Sequence, residues 1–320
     1  MNKPLISVVM PVYNSGELIH QTIKSILNQT YTNFEFIIIN DASKDNTLKV
    51  VKKYQKLDKR IKIINNPNNL GISLASNKGL DAAKGKYIAM MDHDDLSFPT
   101  RFEKQVTYLE THKDVFLVGT GNYYIDVNNK IINKIKTITN ETKIKKDITR
   151  GHNRICHPTI MFRNETKIRY RKKIYFAQDV DFFLQLIADG KRLTNIKDIL
   201  FNYRVHNTQT SMEKRNKQLL FAKKAIQLYR EKIKFGKDSY NKFNPEEILK
   251  LNAETSTDKD VISSEIFYNF HKQNFANVKK YSKKYFKLFG YKDRIIAYYI
   301  ISYLPKKLIQ TILTIKRRFI

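Results

Sequence analysis

Three carboxylates follow a single apolar run of this sequence. Asp92, Asp94 and Asp95 come directly after residues 86–91. Such a concentration of like charge is unfavourable unless a cation or solvent offsets it. In an extended segment Asp92 and Asp94 project to the same side, so they can share one divalent cation, Mg²⁺ or Mn²⁺, with the oxygens of a diphosphate. The motif predicts a metal site, with a solvated acidic turn as the alternative. His93 points to the other side, which indicates a structural side chain.

Two further polar segments follow apolar runs earlier in the chain. Pro11, Val12 and Tyr13 lead into Asn14, where the chain has to turn sharply towards a helix. Asp41 stands at the end of the second apolar run. A plain turn accounts for the first segment and a helix-capping loop for the second, as structural alternatives to a binding role.

The elements that would position these residues are βαβ units. Strands are predicted at residues 6–10, 34–40, 61–64 and 86–91, with helix-period segments between them. Because βαβ crossovers are right-handed, the carboxyl ends of the four strands lie along one edge, where ligands of open α/β sheets bind. The polar residues after the strands should therefore converge.

The pattern is less regular from residue 115 onwards. It predicts strands at 116–118 and 159–162, a hairpin about Asn128-Asn129 and a helix over 179–188. After residue 210 the sequence is helical and basic with few strand signals. We therefore expect a domain boundary at about residue 210.

The segments 11–14, 40–41 and 92–95 together resemble family 2 glycosyltransferases, and Asn69-Leu70-Gly71 with Asn77 matches the same family. The resemblance implies a GT-A-type α/β fold, with a Rossmann-like, mostly parallel central sheet flanked by helices. It implies a catalytic domain over 1–210, made of a nucleotide-sugar-binding half (1–98) and an acceptor-side half (99–210). Residues 211–320 would be a helical basic extension.

The resemblance also assigns roles to individual positions. Asp41 would accept the N3–H of a uracil-like base, Asp94 would be the direct metal ligand, and Asp92 would lie near the ribose and the metal. Arg204 would meet the diphosphate and His206 would complete the metal shell, with a structural role in the loop as the alternative for His206. The implied nucleotide-sugar-binding residues are Pro11, Val12, Tyr13, Asp41, Asn77, Asp92, His93 and Arg204, and the implied metal ligands are Asp94, Asp92 and His206.

The catalytic base of the family has its counterpart in Asp179. The family has a Glu-Asp pair here, whereas this chain has Gln178-Asp179. Asp179 would take the proton of an acceptor hydroxyl while that oxygen displaces the nucleoside diphosphate, which inverts the anomeric configuration. A helix N-terminal charge is the alternative for Asp179. Since Asn40 and Ser76 also depart from the family's usual residues, the donor sugar cannot be assigned.

The amino-acid composition and the motifs present limit which molecules this chain is expected to bind. The chain has 59 Lys+Arg against 30 Asp+Glu, a net charge of +29, which suits a polyanionic surface unless it reflects background composition. A non-catalytic nucleic-acid- or membrane-binding protein is the alternative to an enzyme. No zinc spacing, RNA-binding motif or helix-turn-helix pattern favours nucleic acid, and no Gly-x-Gly-x-x-Gly turn favours a dinucleotide oxidoreductase. The expected partners are a nucleotide-sugar donor, most simply a UDP-sugar, and a glycan or lipid-linked acceptor.

The C-terminal segment is the most basic part of the chain. Residues 271–320 hold 13 Lys+Arg and one Asp, interleaved with apolar residues between 298 and 315. This pattern predicts an amphipathic element at an anionic membrane surface, or a helix that packs on the catalytic domain. We expect a cytoplasmic protein that is peripheral at the membrane. The single cysteine cannot form an internal disulfide, the apolar stretch at the N-terminus is too short for a secretory signal, and no apolar run is long enough to span a membrane. Without any Trp, the Gln-x-x-Arg-Trp motif of processive relatives is missing, which favours transfer of single sugars.

Overall fold

The structure is a computed structural model that describes residues 3–165, 167–206, 215–291, 294–305 and 308–309. The chain divides into two compact units, the first made of 1–206 and 225–238 and the second of 207–224 and 239–320. The predicted boundary at residue 210 lies outside the described residues. Residues 225–238 join the first unit because Ala225 and Ile226 are part of its core.

One nine-stranded sheet forms the centre of the first unit, in the order β3-β2-β1-β4-β8-β6-β9-β5, with β7 paired to β6. Its strands are β1 Ile6–Val12, β2 Phe34–Asn40, β3 Ile61–Asn65, β4 Tyr87–Met90, β5 Leu96–Ser97, β6 Val115–Ile125, β7 Ile131–Lys134, β8 Met161–Arg163 and β9 Arg192–Arg204. Strands β1 to β4 are parallel, and most pairings beyond them are antiparallel.

Helices flank the sheet and build the second unit. Those of the first unit are α1 Leu18–Leu27, α2 Thr47–Leu57, α3 Ile72–Ala82, α4 Arg101–Thr111, α5 Glu141–Ile148 and α6 Gln178–Ala188. Later in the chain come α7 Arg215–Phe235, which is shared between the units, α8 Glu246–Leu249, α9 Lys259–His271, α10 Phe275–Phe289 and α11 Ile295–Ile301. Short 3₁₀ turns occupy His157–Thr159 and Tyr240–Lys242.

The predicted βαβ half is confirmed. Strands β1 and β2 are buried along their whole length, as expected for strands covered by helices on both faces. Gly85 permits the close approach of the chain before β4 to β1, since a Cβ there would lie 2.6 Å from the backbone nitrogen of Ser7. The hairpin about Asn128-Asn129 is also present, between β6 and β7. The carboxyl ends of β1 to β4 therefore share one edge.

The second unit is helical in its described residues. Helices α9, α10 and α11 pack around a core that includes Ile262, Phe270, Val278 and Tyr285. No helix in the described residues is long and apolar enough to cross a membrane. Of the predicted amphipathic tail, residues 306–307 and 310–320, with Lys306, Lys307, Lys316, Arg317 and Arg318, lie outside the described residues.

Candidate active site

The loops after β1 and β2 hold each other in place at the sheet edge. The backbone N–H of Asn14 donates to Ser43 Oγ (3.1 Å), and Asn14 Oδ1 accepts from the N–H of Lys44 (2.9 Å). Asn14 turns the chain with a φ of 48°, in the left-handed region that Asn tolerates. Pro11 and Val12, predicted as part of the turn, are buried residues of β1, because the strand pairs with β2 as far as Asn40. Tyr13 is the first exposed residue at the edge.

Asp41 is buried and anchors the loop that precedes α3. Its Oδ1 accepts from Asn66 Nδ2 (2.7 Å) and from the N–H of Leu70 (2.9 Å), and its Oδ2 accepts from the N–H groups of Leu70 (3.1 Å) and Gly71 (2.9 Å). The predicted contact with a base would add a fourth donor to a carboxylate that already accepts four hydrogen bonds from three donor groups. Asp41 therefore fixes the position of this loop at the sheet edge.

Asp94 and His206, 112 residues apart in sequence, meet at the end of β4. His206 Nε2 lies 2.8 Å from Asp94 Oδ2, and both side chains are largely buried. Burial opposes ionisation of Asp94, but the hydrogen bond with His206 and the charges of His93 and His206 outweigh it, so the pKa of Asp94 lies below its ordinary value. Asp94 is thus held as a carboxylate. The structure brings together the predicted direct metal ligand and the predicted completing histidine.

Asp92 connects this pair to the predicted base. Burial, together with the negative charges of Asp94 and Asp179, raises the pKa of Asp92 to about 7 against the opposing charge of Arg101. Since the charges of Asp94 and Asp179 add to the effect of burial, both carboxylates lie close enough to Asp92 to interact with it. The three predicted acidic site residues therefore lie within electrostatic reach of one another, at the meeting point of the two halves of the sheet.

A divalent cation fits the side chains at this point. In the described part of the chain no three side chains of His, Cys, Asp or Glu are grouped to hold a metal ion. Asp94 and His206 would provide two ligands to such an ion, one oxygen and one nitrogen. Mg²⁺ is commonly bound by one or two carboxylates together with substrate phosphates and water, so a two-ligand site that a diphosphate completes is chemically adequate.

Asp95 and Arg204 are structural tethers of the acidic motif. The buried Asp95 accepts from the N–H of Arg204 through Oδ1 (2.7 Å), whereas its Oδ2 has no partner among the described residues. Arg204 is fully buried and its guanidinium donates to the carbonyls of Asp94 (2.7 Å) and Asp126 (3.1 Å) and to the side chains of Asn129 and Gln21. This guanidinium is committed to protein acceptors, so the geometry favours anchoring over the predicted diphosphate contact.

His93 and Asn77 also contact the protein itself. The carbonyls of His93 and Asp95 each lie 2.9 Å from the Thr22 hydroxyl, and His93 Nδ1 is buried without a partner among the described residues. Asn77 exchanges two hydrogen bonds of 2.9 Å with the backbone of Tyr170. Asn77 therefore fixes the segment that leads to α6, whereas the role of the His93 side chain stays a prediction.

Asp179 lies in the first turn of α6. Its Oδ2 accepts from Asn153 Nδ2 (3.0 Å), a partner that the sequence did not reveal. Gln178, which replaces the family's Glu, has a buried Oε1 without a partner among the described residues. Nearby, His157 Nε2 lies 2.7 Å from the hydroxyl of Tyr170, which supports a structural role for this histidine. Asp179 is thus oriented by one amide donor and stays accessible.

Arg101 is a buried cation that sequence reasoning missed. Its guanidinium donates to the carbonyls of Met90 (2.9 Å) and Ile160 (3.3 Å) and to Gln105 Oε1 (3.0 Å), while Gln105 Nε2 donates to the carbonyls of Thr159 and Val118. Burial lowers the pKa of Arg101 to about 9, so it keeps its charge at neutral pH. The signal was available, since residues 101 and 105 fall on the apolar stripe of α4 at i and i+4.

Replacing Arg101 with Met is expected to lower the free energy of unfolding by about 3 kcal/mol, because it leaves buried carbonyls unpaired. Lys104→Met on the same helix is the control. Lys104 pairs with Asp198 at the surface, so its loss should cost less than about 1 kcal/mol. Urea unfolding followed by circular dichroism measures both. Equal effects for the two variants would remove Arg101 from its clamping role.

Comparison with known proteins agrees with this architecture. Residues 7–174 match the family model of Glycosyl transferase family 2. An uncharacterised glycosyltransferase of Methanocaldococcus jannaschii is 37% identical over 227 residues, 69% of this chain and 78% of the relative. The O-antigen biosynthesis glycosyltransferase WbnJ of Escherichia coli is 37% identical over 212 residues, 64% of this chain and 82% of the relative.

Solved structures share the fold. The structure of S. aureus TarS 1-349 in complex with UDP-GlcNAc is similar with a TM-score of 0.58 and 18% identity, over 93% of this chain and 89% of that one. This likeness confirms the expected GT-A-type α/β fold with its helical C-terminal region. The family match covers more than half of the chain and includes Asp41, Asp94 and the strands that position them. The chain therefore belongs to glycosyl transferase family 2.

Proposed function

We propose that this glycosyltransferase moves a hexosyl or N-acetylhexosaminyl group from a UDP-sugar to a hydroxyl of a glycan or lipid-linked acceptor, with inversion at the anomeric carbon. The observation that carries the proposal is the contact of Asp94 with His206, within electrostatic reach of Asp179 through Asp92. We therefore place the donor site and the base next to each other at the carboxyl edge of a parallel sheet, where ligands of such folds bind.

The donor half of the site recognises the nucleoside diphosphate. Tyr13 and the backbone of Pro11 and Val12 would line the base pocket, and the loop anchored by Asp41 would form its floor. Asp94 and His206 would hold a Mn²⁺ or Mg²⁺ ion. When bound, that ion supplies Lewis-acid stabilisation of the negative charge on the leaving diphosphate.

The acceptor half moves one proton. Asp179 takes the proton of the acceptor hydroxyl as its oxygen forms a bond to the anomeric carbon, and the bond from that carbon to the diphosphate oxygen breaks with its electron pair. Asn153 holds the Asp179 carboxylate in place through its amide, which limits the directions in which it can accept the proton. A single displacement of this kind inverts the anomeric configuration.

The named relatives support the choice of donor and product class. WbnJ is an O-antigen biosynthesis enzyme, and TarS was solved with UDP-GlcNAc. We infer from them that this chain builds a cell-surface polysaccharide or glycolipid with UDP-activated sugars, one residue per turnover.

Thermal denaturation with a panel of nucleoside diphosphates tests the donor class. UDP with Mn²⁺ is expected to raise the midpoint more than GDP, CDP or ADP, because a ligand at about 100 times its dissociation constant stabilises the fold by about 2.7 kcal/mol. UMP, which lacks the second phosphate, and UDP without metal are the controls. If no nucleotide gives a metal-dependent shift, the proposed donor class is wrong; a preference for another base would correct it to that nucleotide.

A further inference from the structure

The second unit exposes an apolar stripe along α11 and the turn that follows it. Ile296 and Ile300 stand at i and i+4 on α11, Tyr303 comes two residues after the helix ends, and the three side chains are 38%, 58% and 53% exposed. Residues at this spacing share one face of a helix. Large apolar side chains grouped on one face mark a surface that contacts another molecule or a membrane.

A row of lysines borders this stripe. Lys279, Lys283 and Lys287 follow one another at four-residue intervals on α10 and are not paired with an acidic side chain in the described part of the chain. Lys279 Nζ lies 3.9 Å from the ring centroid of Tyr303, which joins the row to the stripe. Together the six residues form what we call the docking surface.

Aromatic contacts hold the two helices of the docking surface in register. Phe286 stacks on Tyr291 with a centroid distance of 4.5 Å and meets Tyr299 edge-on at 5.3 Å, while Tyr299 contacts Tyr303 at 5.1 Å. These rings belong to the core and rim of the second unit. The relative positions of the lysine row and the apolar stripe are therefore set by packing.

We propose that the docking surface binds an anionic lipid bilayer. The apolar stripe would enter the boundary between headgroups and acyl chains, and the lysine row would face the anionic headgroups. The bilayer would be the cytoplasmic face of a membrane, where anionic lipid is concentrated. Given the proposed function, this contact would bring the enzyme to a lipid-linked acceptor.

Other partners fit the docking surface less well. Nucleic acid offers phosphates to the lysines, but it has no complement for exposed Ile296 and Ile300. A second copy of the chain would bring the same lysine row opposite itself in a two-fold contact, which like charge disfavours. A bilayer satisfies both the cations and the aliphatic side chains.

Co-sedimentation of the full chain with vesicles tests this proposal. The protein is expected to bind vesicles of equimolar phosphatidylcholine and phosphatidylglycerol but not phosphatidylcholine alone. Replacing Lys279, Lys283 and Lys287 with Gln should weaken partitioning on the order of a hundredfold, since each lysine near an anionic surface contributes about a factor of five. Ile296→Ser with Ile300→Ser should weaken it about tenfold or more.

The matched control removes three positive charges from a different helix, α2. Lys49, Lys53 and Lys56 are exposed on α2 at i, i+4 and i+7, and their change to Gln should leave vesicle binding within about twofold. Equal loss with the control variant would reduce the effect to net charge and overturn the docking surface. Normal vesicle binding by the Ile296→Ser, Ile300→Ser variant would also refute the docking surface. So would binding of an oligonucleotide without binding of vesicles, or an effect of the Ile variant that is limited to dissociation of a dimer.

Folding and donor binding are measured on the same variants. Circular dichroism and the shift of the thermal midpoint by UDP with Mn²⁺ should not change, because no residue of the docking surface belongs to the proposed donor site. Loss of vesicle binding with intact donor binding supports the docking surface. If the unmodified protein binds vesicles but no nucleotide, the docking surface is supported and the proposed donor is refuted.

Discussion

Replacing Asp94 with Ala is expected to abolish metal-dependent nucleotide binding and to lower the rate of sugar transfer by about 10³-fold or more. The physical reason is that Asp94 would hold the ion that stabilises charge on the leaving diphosphate, an effect of several kcal/mol. His206, 2.8 Å from Asp94, would lose its partner at the same time. Transfer assays and calorimetric titration of UDP with and without Mn²⁺ measure the two effects.

One further variant tests the charge of Asp94 separately from its effect on folding, and a second variant is a control. Asp94→Asn retains a hydrogen-bonding oxygen for His206 but removes the negative charge, so it should keep the thermal midpoint and still lose the metal dependence. Asp198→Ala removes an exposed carboxylate that pairs with Lys104 and should leave transfer unchanged. Metal-dependent binding that persists in Asp94→Ala would contradict the proposed metal site.

Replacing Asp179 with Asn is expected to lower the turnover rate by about 10² to 10⁴-fold while donor affinity stays within about twofold, as expected for loss of a general base. Asn has nearly the same shape, and its carbonyl oxygen can still accept from Asn153. Steady-state kinetics with the cognate donor and acceptor, together with UDP titration, distinguish kcat from binding. Asp189→Asn, at the other end of the same helix, is the control and should behave as the unmodified enzyme.

Two results would contradict the proposed role of Asp179. Undiminished turnover in Asp179→Asn would remove this residue from the catalytic role. A matching loss of donor affinity would place Asp179 on the donor side of the site. Asn153→Ala offers an independent check, because it removes the amide that orients Asp179 without touching its charge. We expect a smaller fall in kcat for it, with unchanged UDP binding.

The strands and the edge at which the acidic residues meet could be predicted from the sequence because they depend on local patterns. Apolar runs of four to seven residues, separated by helix-period segments, determine β1 to β4 almost to the residue. Right-handed crossovers then require the residues after those strands to converge. The proximity of Asp92 to Asp94 at this edge is likewise predicted from the local sequence. Family resemblance supplied the distant partners His206 and Asp179.

The hydrogen-bond partners of the buried polar side chains were decided only by the tertiary structure. Arg204 donates to the carbonyl of Asp94, 110 residues away, and Arg101 reaches Ile160, 59 residues away. A guanidinium in a motif can face a ligand or the protein interior, and the sequence pattern is the same in both cases. Burial decides between them, since an arginine without solvent needs protein acceptors for its donors.

Asp41 illustrates the same division. From the sequence, a carboxylate at the end of a strand beside a nucleotide-binding edge is a candidate for base recognition. In the folded chain the loop of residues 66–71 folds over it and supplies four hydrogen bonds. The sequence by itself determined the family, the sheet edge and the acidic motif of this protein. The tertiary structure decided which polar groups remain open to a ligand, because that depends on the segments that cover each group.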